Sequence, residues 1–383
     1  MNRSSALEYL TIEKLRFLLA ALVVLLHCYN LYDYGSGAIT FDRSLYDFVR
    51  IFFTQGVCRV AVPTFFLMSG YLFFKNLEYW NNQEYVKKMK SRFWTLFIPY
   101  LLWNLIAFCF LFIIDVVSSL SQIHSLYDFI DRFNSFGSMH GWLRIFWDDN
   151  YLYNEGVTNV LGYEVYGACP INLPFWFIRD LMIVSLLSRI IYYFIVRIGK
   201  TYLLILGLLM VFNIWPQFAI CSSTSIFFFS LGGFIRLRGY GLLNFCYSKK
   251  YLFLVFSAIL LILMVLSFGK APLVYEIEKR LFTISGALVT IWLVSLSVRK
   301  VHDVDISLYS KSSFFIYAIH YTILIPIVYA AVKRVLPFDN QITLILKYIS
   351  SAIIITYLGV AIYKIIFENT KKTFLGLLVG KRK

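Results

Sequence analysis

The chain has 383 residues, of which 60% are hydrophobic and only 15% charged, a balance that excludes an ordinary soluble globular domain. Lys and Arg number 36 against 21 Asp and Glu, a formal charge of +15. An excess of that size fits nucleic acid, anionic lipid or an anionic ligand until the charges are placed along the chain.

A helix crossing a hydrocarbon layer needs about 20 apolar residues. Reading between charged clusters predicts ten spans: Leu15 to Leu31, Val57 to Phe74, Phe93 to Ile114, Pro174 to Val196, Tyr202 to Ile220, Ser225 to Ile235, Tyr251 to Phe268, Leu281 to Val298, Phe314 to Val332 and Ile342 to Phe367. The sixth is short, and Gly232-Gly233 is expected to interrupt it. Lys and Arg accumulate on the cytoplasmic side of membrane proteins. Lys75, Lys87, Lys88, Lys90 and Arg92 therefore mark the second connection as internal, as do Arg236, Arg238, Lys249 and Lys250 the sixth, and Arg299, Lys300 and Lys311 the eighth. Lys371, Lys372, Lys381, Arg382 and Lys383 place the end of the chain on the same side. The longest connection leans acidic through Asp128, Asp131, Asp148, Asp149, Glu155 and Glu164.

The expected fold is all-α: a polytopic integral membrane protein of about ten transmembrane helices, both termini cytoplasmic. It forms a single domain over 1–383, with an extracytoplasmic loop over 115–173 between helices three and four. The positive charge is then topology, and no nucleic-acid partner is expected. The first apolar stretch after Arg16, with the small residues Gly35 to Ala38, resembles a signal peptide, but nine further spans favour a retained helix. Six cysteines, Cys28, Cys58, Cys109, Cys169, Cys221 and Cys246, have no paired spacing and read as packing residues.

Ionisable groups inside a bilayer cost about 3 kcal/mol or more and mark cavities and sites. Arg16 and His27 share one face of the first helix, eleven positions and about 16 Å apart. Arg16 sits near the cytoplasmic mouth and His27 deeper. A neutral imidazole can act as general base toward a hydroxyl, and it can equally be an interhelical packing group; the same choice applies to His320 on the ninth helix. Arg16 alone reads as a cytoplasmic anchor, and only the face shared with His27 lifts it. His124, His140 and His302 lie in loops and form no metal site.

Five segments together carry a family resemblance. They are Glu13 to His27 with its arginine, ten residues, histidine pattern; Arg59 to Tyr71 with Phe65-Phe66 before Ser69-Gly70; Lys90-Ser-Arg92 leading to Ile98-Pro-Tyr100; Leu173 to Asp180; and Ser313 to His320. In this order the chain resembles the acyltransferase-3 family of membrane acyltransferases. The resemblance implies an acyl-CoA donor, usually acetyl-CoA, reached from the cytoplasm as a substrate with no permanently bound cofactor. It also implies an acceptor hydroxyl on a cell-envelope glycan or lipid-linked sugar, in the cytoplasmic membrane. Candidate catalytic residues are His27, His320 and Arg179. Arg16, Lys90 and Arg92 are candidates for the coenzyme A phosphates, and Arg59, Trp176 and Asp180 for the acceptor. Arg59 and the Arg179-Asp180 pair read equally as interhelical ion pairs, and Lys90 as an ordinary internal charge. Trp142, Trp147, Tyr151, Tyr153, Tyr163 and Tyr166 could stack on sugar rings or form an interfacial belt. Ser69-Gly70 reads as close helix packing. The alternative function is a transporter or flippase in which Gly232-Gly233 breaks a helix. A glycan polymerase would need no Arg16.

Overall fold

A computed structural model describes residues 3–28, 45–75, 77, 79–120, 143, 145–147, 158–160, 163–165, 169–215, 221–300, 307–367 and 374–380. The helices are α1 (Arg3–His27), α2 (Leu45–Ile51), α3 (Ala61–Phe73), α4 (Asn82–Arg92), α5 (Ile98–Leu120), α6 (Trp176–Leu186), α7 (Ser188–Arg197) and α8 (Lys200–Val211). They continue with α9 (Ser223–Leu237), α10 (Leu242–Ser248), α11 (Lys250–Ser267), α12 (Pro272–Lys300), α13 (Ser307–Ile319), α14 (Ile325–Val335), α15 (Gln341–Phe367) and α16 (Phe374–Leu378). One small antiparallel ribbon pairs β1 (Thr158–Val160) with β2 (Tyr163–Val165).

Among the described residues, six helical stretches are long and apolar enough to cross a membrane: Leu45–Phe73, Asn82–Ile114, Lys250–Ser267, Pro272–Val298, Ser307–Val335 and Gln341–Phe367. The pair α9 and α10, bent by 101°, makes a seventh when taken as one span. This is an all-α multi-pass membrane protein. Helix also covers 15–27, 176–186, 188–196 and 202–211 of the other expected stretches, while residues 29–31 and 216–220 lie outside the described residues. There, α1 carries Glu13, Lys14 and Arg16, Leu187 divides α6 from α7, and α8 has 12 residues.

Several features differ from expectation. The third helix runs on to Leu120, into the expected loop. The eighth begins at Pro272 rather than Leu281, drawing Tyr275, Glu276, Lys279 and Arg280 into helix. Gly232-Gly233 does not break α9, which is continuous over Ser223–Leu237. A Cβ on Gly232 would lie 2.0 Å from the Leu67 carbonyl oxygen, and one on Gly70 would lie 2.0 Å from the Phe229 carbonyl oxygen. These glycines let α3 and α9 meet backbone to backbone, the means by which transmembrane helices without a hydrophobic driving force gain contact. Elsewhere Gly239 (φ 76°) and Gly269 (φ 73°) follow α9 and α11 in the left-handed region, where no other residue is cheap. Hydroxyls such as Thr64, Ser185 and Thr356 bond the carbonyl four residues back, which satisfies them inside the helix.

Three π turns occur among the described residues: Phe52–Gly56, Phe93–Phe97 and His320–Leu324. Each adjoins a candidate site residue, Arg59, Arg92 and His320 respectively. A widened turn re-aims the side chains beside it, and such turns concentrate at functional sites.

Candidate functional site

The site has two parts, built on either side of Tyr317. The first is a cavity of about 1080 Å³, at the upper end of the range for ligand pockets. Its cationic lining is Arg16, Lys75, Lys87, Lys88, Arg92 and Lys311, against one carboxylate, Glu84. Asn81 caps α4 by accepting from the Gln83 and Glu84 amides, and so sets the helix that carries three of these cations. Lys88 Nζ donates to the Phe73 and Lys75 carbonyls, while Arg92 donates to Ser69 Oγ at 3.1 Å. Both lie over the Phe73 ring, Lys88 at 5.4 Å and Arg92 at 5.0 Å from its centroid. Arg16 pairs with Glu13 at 3.4 Å on its own helix, with its side chain 44% exposed. Lys90 is exposed on the opposite face of α4 and is not among the lining residues, so the cavity keeps Arg16 and Arg92 of the three expected cations.

Tyr317 is part of that lining, and its ring lies 5.8 Å from that of His320. Beyond it is the second part. His27, the last residue of α1, lies 5.4 Å from His320 between ring centroids and 4.9 Å, edge-on, from Tyr321. His27 is half-buried and His320 wholly so. His320 Nδ1 is 2.8 Å from the Tyr317 carbonyl oxygen. A carbonyl accepts only, so Nδ1 carries the proton and Nε2 carries a lone pair. Among the described residues that Nε2 is buried with no hydrogen-bond partner. A buried group left unpaired costs about 1–3 kcal/mol, and this one is a base facing another histidine.

Asn172 holds the π turn in place. Its Nδ2 donates to the Ala318 carbonyl at 2.9 Å, its Oδ1 accepts from Thr322, and its backbone amide donates to Asn104 Oδ1 on α5. Tyr317 donates to the Pro174 carbonyl, tying the same turn to the entry of α6. Asn104 and Asn172 were not candidates from the sequence. Neutral amides carry no charge signal, and only their burial identifies them.

None of the remaining expected site residues lines the cavity. Arg179 donates to the Trp147 carbonyl at 2.9 Å, lies over the Trp147 ring at 5.2 Å, and pairs with Asp180 at 3.4 Å. Asp180 Oδ2 accepts from the Ser222 amide at 2.9 Å, at the start of α9. These bonds tie α6 to the start of α9 and to the 145–147 segment. Asp180→Ala is expected to lower the unfolding free energy by about 1–3 kcal/mol in thermal melts in detergent, with transfer per folded molecule kept. Trp176 opens α6 half-buried against the core. Arg59 bonds Gln55 and exerts its charge on His27, at the end of α1 away from the cavity. Of the loop aromatics, Trp142, Tyr151, Tyr153 and Tyr166 lie outside the described residues, as do His124, His140, His302 and Lys381 to Lys383.

An acyltransferase domain family matches residues 9–364, which include both histidines and every cation that lines the cavity. Among curated proteins, the chain is similar to the succinoglycan biosynthesis protein ExoH of Rhizobium meliloti (strain 1021), at 26% identity over 295 residues, covering 74% of this chain and 70% of that protein. No solved structure matches. An arginine-lined cavity leading to paired histidines, within a domain match of this extent, places the chain in the acyltransferase-3 family of membrane acyltransferases.

Proposed function

We propose that this acyltransferase moves an acyl group, acetyl in the first instance, from acyl-CoA on the cytoplasmic side of the cytoplasmic membrane to a hydroxyl of an envelope carbohydrate on the outer side. The observation that carries the reading is the placement of six cations and two histidines on either side of Tyr317. Coenzyme A presents a pyrophosphate and a 3′-phosphate, which Arg16 and Arg92 suit as fork donors and the lysines as point charges. From Arg16 to His27 the continuous helix α1 rises about 16 Å, a distance for the extended arm of the donor to cover. The name of the ExoH relative, a succinoglycan biosynthesis protein, supports a polysaccharide acceptor.

Half-buried His27 meets the acceptor hydroxyl and takes its proton as the oxygen attacks the thioester carbon. The new C–O bond forms, the C–S bond breaks, and the imidazolium returns its proton to the departing thiolate. His320 Nε2 can accept a hydrogen bond from that imidazolium, since a centroid separation of 5.4 Å allows ring nitrogens turned toward each other to meet. Two neighbouring imidazoles share one positive charge more readily than they hold two.

The test is transfer from radiolabelled acetyl-CoA to envelope glycan in membrane vesicles. Arg16→Ala and Arg92→Ala, expressed to equal levels, are each expected to raise the KM for acetyl-CoA by about tenfold or more, the worth of one charge-assisted hydrogen bond. Unchanged donor KM in both variants would remove the basic cavity from the donor path.

A further inference from the structure

A second cationic group lies at the opposite end of the bundle from the basic cavity, and neither the donor path nor the histidine pair uses it. Phe73 lines the cavity, and Arg59 precedes it by fourteen residues along the same span, about 20 Å away at the end where α1 finishes in His27. There Gln55 Oε1 accepts from both Arg59 and, at 2.7 Å, the Tyr275 hydroxyl of α12. One turn on, Lys279 Nζ lies 4.9 Å from the Tyr275 ring centroid and pairs with Glu276. Arg280 pairs with the same Glu276 at 3.5 Å and donates to the Met210 carbonyl. Glu278 is turned away to Ser267. Lys279 and Arg280 thus share one carboxylate, while Arg59 is held by the neutral Gln55.

Exposure grades through the group. The Glu276 side chain is 40% exposed, those of Lys279 and Arg280 are 21% and 19%, and Arg59 Nε is buried with no hydrogen-bond partner among the described residues. Guanidinium and ammonium groups brought this close repel one another, and one glutamate leaves the excess uncompensated. An arrangement of this kind is completed by an anion from outside, with the Arg59 fork innermost, beside His27, and Glu276 at the rim.

Resting on the proposed glycan acceptor, we infer that Arg59, Lys279 and Arg280 form an oxyanion subsite that selects acceptors carrying a carboxylate or phosphate near the hydroxyl to be acylated. The anion docks on the cations, and the neighbouring hydroxyl is thereby presented to His27. Affinity for the acceptor then falls steeply with salt, because the charges it uses are partly exposed.

Equilibrium binding to purified protein in lipid nanodiscs tests this independently of turnover. The probes are cellobiose, the same disaccharide with one uronic acid, and glucose 1-phosphate beside glucose. At least tenfold tighter binding of an anionic probe than of its neutral counterpart is expected in the wild type. That preference should be lost in Lys279→Met/Arg280→Met and kept in Lys279→Arg. A carboxylate preference points to an acidic sugar, and a phosphate preference to a lipid-linked sugar phosphate. Equal binding of neutral and anionic probes by the wild type overturns the subsite, as does a preference that survives in the double variant. Monodisperse elution and retained acetyl-CoA binding show that the double variant has folded. Acetyl transfer in the same preparation reports separately on the proposed function: its absence alongside an intact anion preference refutes the transfer reading and leaves the subsite standing.

Discussion

His320→Leu is expected to lower kcat for acyl transfer by about 10²- to 10⁴-fold, the range for loss of a positioned acid–base group, with the KM for acetyl-CoA near that of the wild type. In the proposed donor path the phosphates meet Arg16 and Arg92 on the far side of Tyr317, so a change at His320 leaves those contacts in place. His27→Ala should give a loss of similar size. The double variant should be little worse than either single one, because residues acting on one proton do not contribute additively. Stability separates this from a packing role. His320 is 0% exposed with Nε2 unpaired among the described residues, and removing such a group relieves a cost of about 1–3 kcal/mol. His320→Leu should therefore melt within a few degrees of the wild type or above it while transfer is lost. A clear fall in melting temperature with transfer intact would make His320 a packing residue.

Gly70→Ala and Gly232→Ala should each destabilise the bundle by about 3 kcal/mol or more, the upper end for overpacking. The added methyl would sit 2.0 Å from a main-chain carbonyl oxygen in each case, Phe229 for one and Leu67 for the other, so no side chain can swing aside. The helices must part, and α3 carries Ser69, which holds Arg92 at the wall of the cavity. Yield of monodisperse protein and thermal unfolding in detergent measure the effect. Gly207→Ala is the control. Its Cβ would meet only the Phe227 ring, at 3.3 Å, and the gain in helix propensity of about 1 kcal/mol offsets that contact. Ordinary melting of Gly232→Ala would mean that α3 and α9 are not in the contact described.

What could be read from the sequence follows from which residues are costly in a bilayer. His27 and His320 stand out because each is ionisable within an apolar run, Arg16 stands out only through the face it shares with His27, and the eleven-residue spacing on α1 survives because that helix is unbroken over Arg3–His27. Lys279 and Arg280 do not stand out. Charges near a span read as its end, yet pairing with Glu276 lets helix α12 absorb them from Pro272 onward. The Gly232-Gly233 step carries two opposite meanings in sequence, break and close approach, and only the facing Leu67 backbone decides between them. Arg179 and Asp180 are equally ambiguous until Trp147 and Ser222 are seen to occupy them. The three π turns have no sequence pattern, because a widened turn depends on what packs against it.

The walls of the basic cavity come from far apart in the chain: Ile12 and Arg16 from the first helix, Lys88 and Arg92 from the fourth, Tyr317 from the thirteenth, and Val379 and Gly380 just beyond the sixteenth. Trp103 fastens that final piece by donating to the Leu378 carbonyl at 2.8 Å. During biosynthesis the first twelve or so helices can be threaded into the bilayer while this chamber is still open on one side. It closes only after the ribosome has passed residue 380 and the segment has folded back onto α5.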